Sequence, residues 1–127
     1  MEVDGQLLLE GKKRELPNQI QHLRQLRSLK IGGFKNLKEL PEWLGKLTSL
    51  ERLRLRDLPL VEHLPSQAAT ECLSQLTWLN VDLCPLLEKA CCTPNGSEWA
   101  KIKKIHHVSL GHDKLEFSQL TVHNLCF

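Results

Sequence analysis

The spacing of apolar residues predicts an α/β solenoid: a right-handed coil with a short parallel β-sheet on its concave face and loop or short-helix segments on its convex face. Three observations carry this. Leu47, Leu50, Leu53, Leu55 and Leu58 are matched 24 residues earlier by Leu23, Leu26, Leu29, Ile31 and Phe34, and Leu40-Pro41 by Leu16-Pro17. The same template continues 26 residues later at Leu76, Leu79, Val81 and Cys84. A period of this length marks a stack of units, each burying its apolar face against its neighbours. Within each unit, finally, the spacing L-x-x-L-x-L-x-x-(L/F/C) mixes a helical step with strict alternation.

That mixture separates a strand-bearing repeat from a helical hairpin. Leu23, Leu26 and Leu29 alone fit one helix face. Leu29-Lys30-Ile31, Leu53-Arg54-Leu55 and Leu79-Asn80-Val81 alternate apolar with polar, the pattern of a half-buried strand. Pro17, Pro41 and Pro65, each just after a Leu, would interrupt long helices. The spacing, and a unit of about 20–29 residues, are those of the leucine-rich repeat. Residues 1–111 are expected to form four to five such repeats, with strands near 7–9, 28–32, 52–56, 78–82 and 107–110. Residues 112–127 are left as an irregular C-terminal tail or an extra strand.

Taking the elements in order, Leu7 and Leu9 lie 22 residues before Leu29 and Ile31 and supply a first strand. Leu16, Ile20 and Leu23 should then point inward from the first convex segment, followed by Leu37, Leu40, Leu44 and Leu47 in the second and Val61, Leu64, Ala68 and Leu73 in the third. The third carries two extra residues within 66–72, which belong on a surface loop. After the strand near 78–82 and the turn-rich Thr93-Pro94-Asn95-Gly96-Ser97, a diverged unit is built on Trp99, Ile102, Ile105, Val108 and Leu110. No polar cap is legible ahead of the first strand. The chain is therefore expected to be the C-terminal part of a longer solenoid.

Of the 127 residues 41% are hydrophobic and only 5% aromatic, so the core must be aliphatic. Seventeen basic against fifteen acidic side chains leave a net charge of +2, too close to balance to imply nucleic acid or an anionic membrane. Glu2 and Asp4 stand where a secretory signal would be basic, and no run of about 18 apolar residues is present. Five cysteines (72, 84, 91, 92 and 126), odd in number and without a paired framework, are expected as reduced intracellular thiols in a cytoplasmic protein.

Two-residue alternation also gives the outward positions of the strands, which stack laterally in three columns. The first is Ser28, Arg52, Trp78 and His107; the second Lys30, Arg54, Asn80 and Ser109; the third Gly32, Arg56, Asp82 and Gly111. The plain reading is a solvated face, its arginines pairing with Asp57 or Asp82. Because Arg and Trp are frequent interface anchors, and the concave face of such repeats is their usual binding surface, the residues expected to contact a protein are Lys30, Arg52, Arg54, Arg56, Trp78, Asn80, Asp82 and His107.

Chemistry for other functions is missing from the motifs. No phosphate-binding G-x-x-x-x-G-K-[ST] is present, and glycines 5, 11, 32, 33 and 45 do not form a dinucleotide fingerprint. Cys84, Cys91, Cys92, His106 and His107 lack the spacing of a zinc site, since Cys91-Cys92 and His106-His107 are adjacent pairs. In the bland account Cys84 is inward where Phe34 and Leu58 are, and one His of the pair faces out. A nucleophilic Cys would also need an orienting group and an oxyanion site. The expectation is a non-enzyme with no catalytic, cofactor or metal residues and no small-molecule substrate.

Over residues 16–108 the chain resembles the C-terminal leucine-rich-repeat region of plant nucleotide-binding leucine-rich-repeat disease-resistance receptors. LPEWLGKLTSLERLRL is shared widely among leucine repeats. More specific is CPLLEKACCTPNGSEWAKIKKIHHV, which is similar to the family's terminal C-P-x-L-x-x-x-C followed by G-x-x-W-x-K-I and H-I-P. Cys84, Pro85, Leu87, Cys91, Gly96, Trp99, Lys101 and Ile102 match; His106-His107-Val108 lacks the proline, and Cys92 and the residues past Leu110 depart from the pattern. The resemblance implies a cytoplasmic recognition module that senses a pathogen effector or a guarded host protein and packs on a nucleotide-binding domain absent from this chain. The alternative is a free-standing leucine-rich-repeat scaffold or inhibitor unrelated to immunity.

Overall fold

The computed structural model describes residues 16–93 and 96–111 in full, and the backbone of the strands Glu2–Val3, Gln6–Glu10 and Leu115–Ser118. Its architecture is α/β. Seven strands form one sheet in chain order: β1 (Glu2–Val3), β2 (Gln6–Glu10), β3 (Ser28–Gly32), β4 (Arg52–Arg56), β5 (Trp78–Asp82), β6 (His107–Leu110) and β7 (Leu115–Ser118). Strands β2 to β6 are parallel, while β1 and β7 pair antiparallel at the two edges. Of the two alternatives left for residues 112–127, a strand is present at Leu115–Ser118; the rest of that stretch lies outside the described residues.

The register follows the repeat. Leu29 faces Leu53, Leu53 faces Leu79 and Leu79 faces Val108, with Ile31, Leu55, Val81 and Leu110 in a second row. All eight are buried. A one-residue slip of any strand would turn its two apolar side chains to the solvent face, so burial alone pins the register. The connecting segments lie behind these rows. Pro17 and Pro41 open short 3-10 helices at Asn18–His22 and Glu42–Lys46, with φ of −60° and −73° suited to their rings. Ile20 and Leu44 point inward from them.

The third connection is an α-helix, α1 (Gln67–Glu71), capped by Ser66, whose Oγ accepts from the Ala69 amide at 3.2 Å. An α-helix rises about 1.5 Å per residue against about 2.0 Å for a 3-10 turn, so it takes more residues to cover the same distance. This accounts for the two-residue insertion. It also corrects one expected core position: Ala69 is buried and Ala68 is exposed. The inward phase moves because α1 turns about 100° per residue instead of about 120°.

The last connection holds two helices, α2 (Pro85–Cys91) and α3 (Ser97–Ile102). Leu87, Cys91 and Ile102 enter the core from them, and Trp99 packs against it while partly exposed. Each of β3, β4 and β5 is followed by a residue with positive φ: Gly33 at 72°, Asp57 at 56° and Leu83 at 54°. No helix among the described residues is long and apolar enough to cross a membrane. Cys72, Cys84 and Cys91 are free thiols. The expectation of reduced thiols is corrected at Cys92, which is disulfide-bonded; pairing is decided by spatial approach, which sequence spacing does not report.

Candidate functional site

The expected columns are assembled as three rows across the parallel strands. Arg52 is the register partner of Trp78, and Trp78 of His107. The indole and imidazole lie stacked, 6° from parallel with centroids 6.3 Å apart, within the range of offset aromatic pairs. Trp78 is half-buried, not fully exposed as the alternation suggested, because the His107 ring covers part of it. Arg52 stands exposed on the other side of Trp78, between it and Ser28.

In the second row, Lys30 faces Arg54, Arg54 faces Asn80 and Asn80 faces Ser109. Arg54 Nε donates to Asn80 Oδ1 at 3.1 Å, and Asn80 Nδ2 donates to Ser109 Oγ at 3.0 Å. Both Asn80 and Ser109 are buried. A relay of two neutral polar groups on β5 and β6 thus holds the guanidinium on β4 by one of its five N–H donors. In the third row Arg56 Nε lies 3.6 Å from Asp82 Oδ2, between Gly32 and Gly111, which carry no side chains. Asp57, the other acid considered as an arginine partner, lies instead 3.9 Å from Lys35 Nζ.

The eight expected residues therefore share one face but divide by task. Lys30, Arg52, Arg54, Arg56, Trp78 and His107 are at least partly open to solvent; Asn80 and Asp82 are buried and orient the arginines beside them. Charge is distributed unevenly. Among the described residues Lys30 and Arg52 form no ion pair, and Arg54 pairs only with a neutral amide. Positive charge accordingly concentrates over β3 and β4.

Outward alternation misses three leucines. Leu60, Leu83 and Leu86 are each about two-fifths exposed. Leu60 and Leu86 are equivalent positions of successive units, and Leu83 is the left-handed residue after β5. All fall outside the inward template, which was the available sequence signal.

Among the connecting segments two carboxylates tie one connection to the next. Glu42 accepts from the Ser66 amide at 2.7 Å and from Ser66 Oγ at 2.6 Å, and these bonds hold its carboxyl below the ordinary range. Glu98 is buried and accepts from the Leu64 amide at 2.7 Å, Lys101 Nζ at 3.0 Å, Ser97 Oγ at 3.0 Å and His63 Nδ1 at 3.1 Å. Burial pushes its carboxyl up, but the bonds from Leu64, Lys101, His63 and Ser97 outweigh this and hold it low. Lys101 also donates to the Leu64 carbonyl at 3.2 Å. These groups fasten α3 to the loop before α1.

Burial pushes the thiols of Cys84 and Cys91 up to about 12, which suits packing and opposes thiolate chemistry. Among the described residues no group of three or more His, Cys, Asp or Glu is placed to hold a metal ion. No protein-family model matches the chain, and no curated protein or solved structure shows significant similarity to it.

Proposed function

We propose that the chain is a leucine-rich-repeat solenoid that recognises a protein on the face presented by β3 to β6. The observation that carries this reading is the alignment of Arg52, Arg54 and Arg56 on one strand beside the Trp78–His107 stack, with buried Asn80 and Asp82 beside two of the arginines as supports. Guanidinium and indole groups held this way lose little freedom on binding, which favours their use as anchors.

In the role the resemblance implies, this is the recognition module of a plant intracellular immune receptor. The partner is a pathogen effector, a guarded host protein or the receptor's own nucleotide-binding domain, met in the cytoplasm. The test is split-luciferase complementation in plant cells between the chain and nucleotide-binding domains of such receptors or candidate effectors, repeated with Arg54→Glu. The expected outcome is a specific pairing that Arg54→Glu reduces about tenfold or more, the effect of placing a like or unpaired charge in a desolvated contact. A pairing that survives charge reversal would move recognition off this face. Failure of every plant-receptor and effector pairing would remove the immune setting.

A further inference from the structure

Lys30 and Arg54 are direct register partners on neighbouring parallel strands and project from the same face. Neighbouring strands are about 4.8 Å apart, and like charges placed directly opposite each other destabilise a sheet. Arg52, two residues from Arg54 on β4, adds a third cation at about 6.6–7 Å along the strand. None of the three forms an ion pair among the described residues, although Arg56 one step further on has Asp82. Among the described residues Arg56 of the third row is compensated by an acid, whereas Lys30, Arg52 and Arg54 are not.

We infer that Lys30, Arg52 and Arg54 form the docking site for an extended acidic protein segment whose carboxylates, on alternate residues, take the places that no acid among the described residues of this face occupies. The inference rests on the recognition role proposed above and specifies its partner's chemistry. Charge and spacing both support it. Alternate side chains of an extended segment recur at about 6.6–7 Å, the separation of Arg52 and Arg54 on β4, and a carboxylate accepts two parallel N–H bonds from a guanidinium. The Asn80–Ser109 relay holds Arg54 through Nε, leaving the Nη groups available to a ligand. Beyond Arg52 in the same row the Trp78–His107 stack offers an apolar ledge for the segment's neighbouring side chain.

The experiment is titration calorimetry of the chain with a short peptide alternating glutamate and alanine, against the same peptide with glutamine in place of glutamate. Binding of the glutamate peptide alone is expected, weakened about fivefold or more by Arg52→Gln or Arg54→Gln. Lys103→Gln and Lys104→Gln, which remove the same charge from exposed convex positions, should leave it unchanged. Equal losses from the convex pair would show diffuse attraction and overturn the inference, as would binding of the glutamine peptide. Lys30→Glu gives a second readout, because it replaces a like-charge pair by an opposite one. It is expected to raise the melting temperature while abolishing peptide binding, and a lowered melting temperature would overturn the inference. A protein partner that binds through this face without an acidic segment would sink this inference and leave the recognition role standing.

Discussion

Leu83 takes the same left-handed backbone conformation as Asp57, with φ of 54° and 56°, at the equivalent turn of the next unit. Gly33 fills that turn after β3 with φ of 72°. The three form a series of decreasing tolerance: glycine adopts this region freely, aspartate with some ease and leucine only under strain. The turn geometry therefore goes with the parallel pairing of the strands, in which Gly33 and Asp57 donate to Arg56 and Asp82 of the next strand, and not with the residue in it.

Leu83→Asn should accordingly stabilise the chain by about 0.5–1 kcal/mol, since asparagine accepts the left-handed region and the leucine residue is about two-fifths exposed. Leu83→Val should destabilise it by about 1 kcal/mol or more, because β-branching resists the same conformation. Urea unfolding of both variants checks the pair. Equal stability of valine and leucine here would mean the turn relaxes elsewhere.

Gly45 gives a prediction of opposite sign to helix propensity. A Cβ added there would lie 2.8 Å from the Ala69 carbonyl oxygen and 3.0 Å from its Cα. Both are main-chain atoms of α1 and cannot swing away. Gly45→Ala is expected to cost about 1–3 kcal/mol, measured by chemical denaturation. Ala69→Gly should not rescue it, because the opposing atoms remain.

Glu98 sets a pH dependence. Its carboxyl is held below the ordinary value of about 4.3, so the unfolded chain takes up its proton first as the medium is acidified. The stability it contributes is present above that ordinary value and is lost as pH falls through the lower folded value. Glu98→Gln leaves the Lys101 ammonium, only 11% exposed, without its carboxylate. A loss of about 2–4 kcal/mol near neutral pH is expected, with a flatter acid limb in melting temperature against pH.

The cysteines separate by burial. Iodoacetamide at about pH 8.5, near the ordinary thiol value, should alkylate exposed Cys72 in the folded chain and spare Cys84 and Cys91 until denaturant is added. Their thiols are raised to about 12, so the folded state favours the protonated form. That contribution is complete below the ordinary thiol value and declines as pH rises toward 12. Peptide mass spectrometry reads the modification, and labelling of Cys91 at the rate of Cys72 would contradict its burial.

Much of the sheet was legible because alternation and period report on the same physical demand. Leu53 and Leu55 must face inward together, which sends Arg52, Arg54 and Arg56 outward together, and the 24- and 26-residue steps place Lys30 and Asn80 beside Arg54. The roles within the face were not legible. Asn80 and Asp82 alternate outward like the arginines, yet neighbouring side chains cover them. Coverage depends on how large side chains lie across strands, which no spacing encodes.

The sequence by itself determined the positions of the parallel strands β2 to β6, their in-phase register and the composition of the outward face, because burying one side of a short strand leaves a two-residue period with a single solution. Tertiary structure decided the rest. It switched the third connection from 3-10 to α-helix and moved the buried alanine from 68 to 69. It also forced Leu83 into a glycine-like turn and drew Glu98, His63 and Lys101 together across more than thirty residues. Each of these depends on how segments of different length fit together, and that fit is a property of three-dimensional packing.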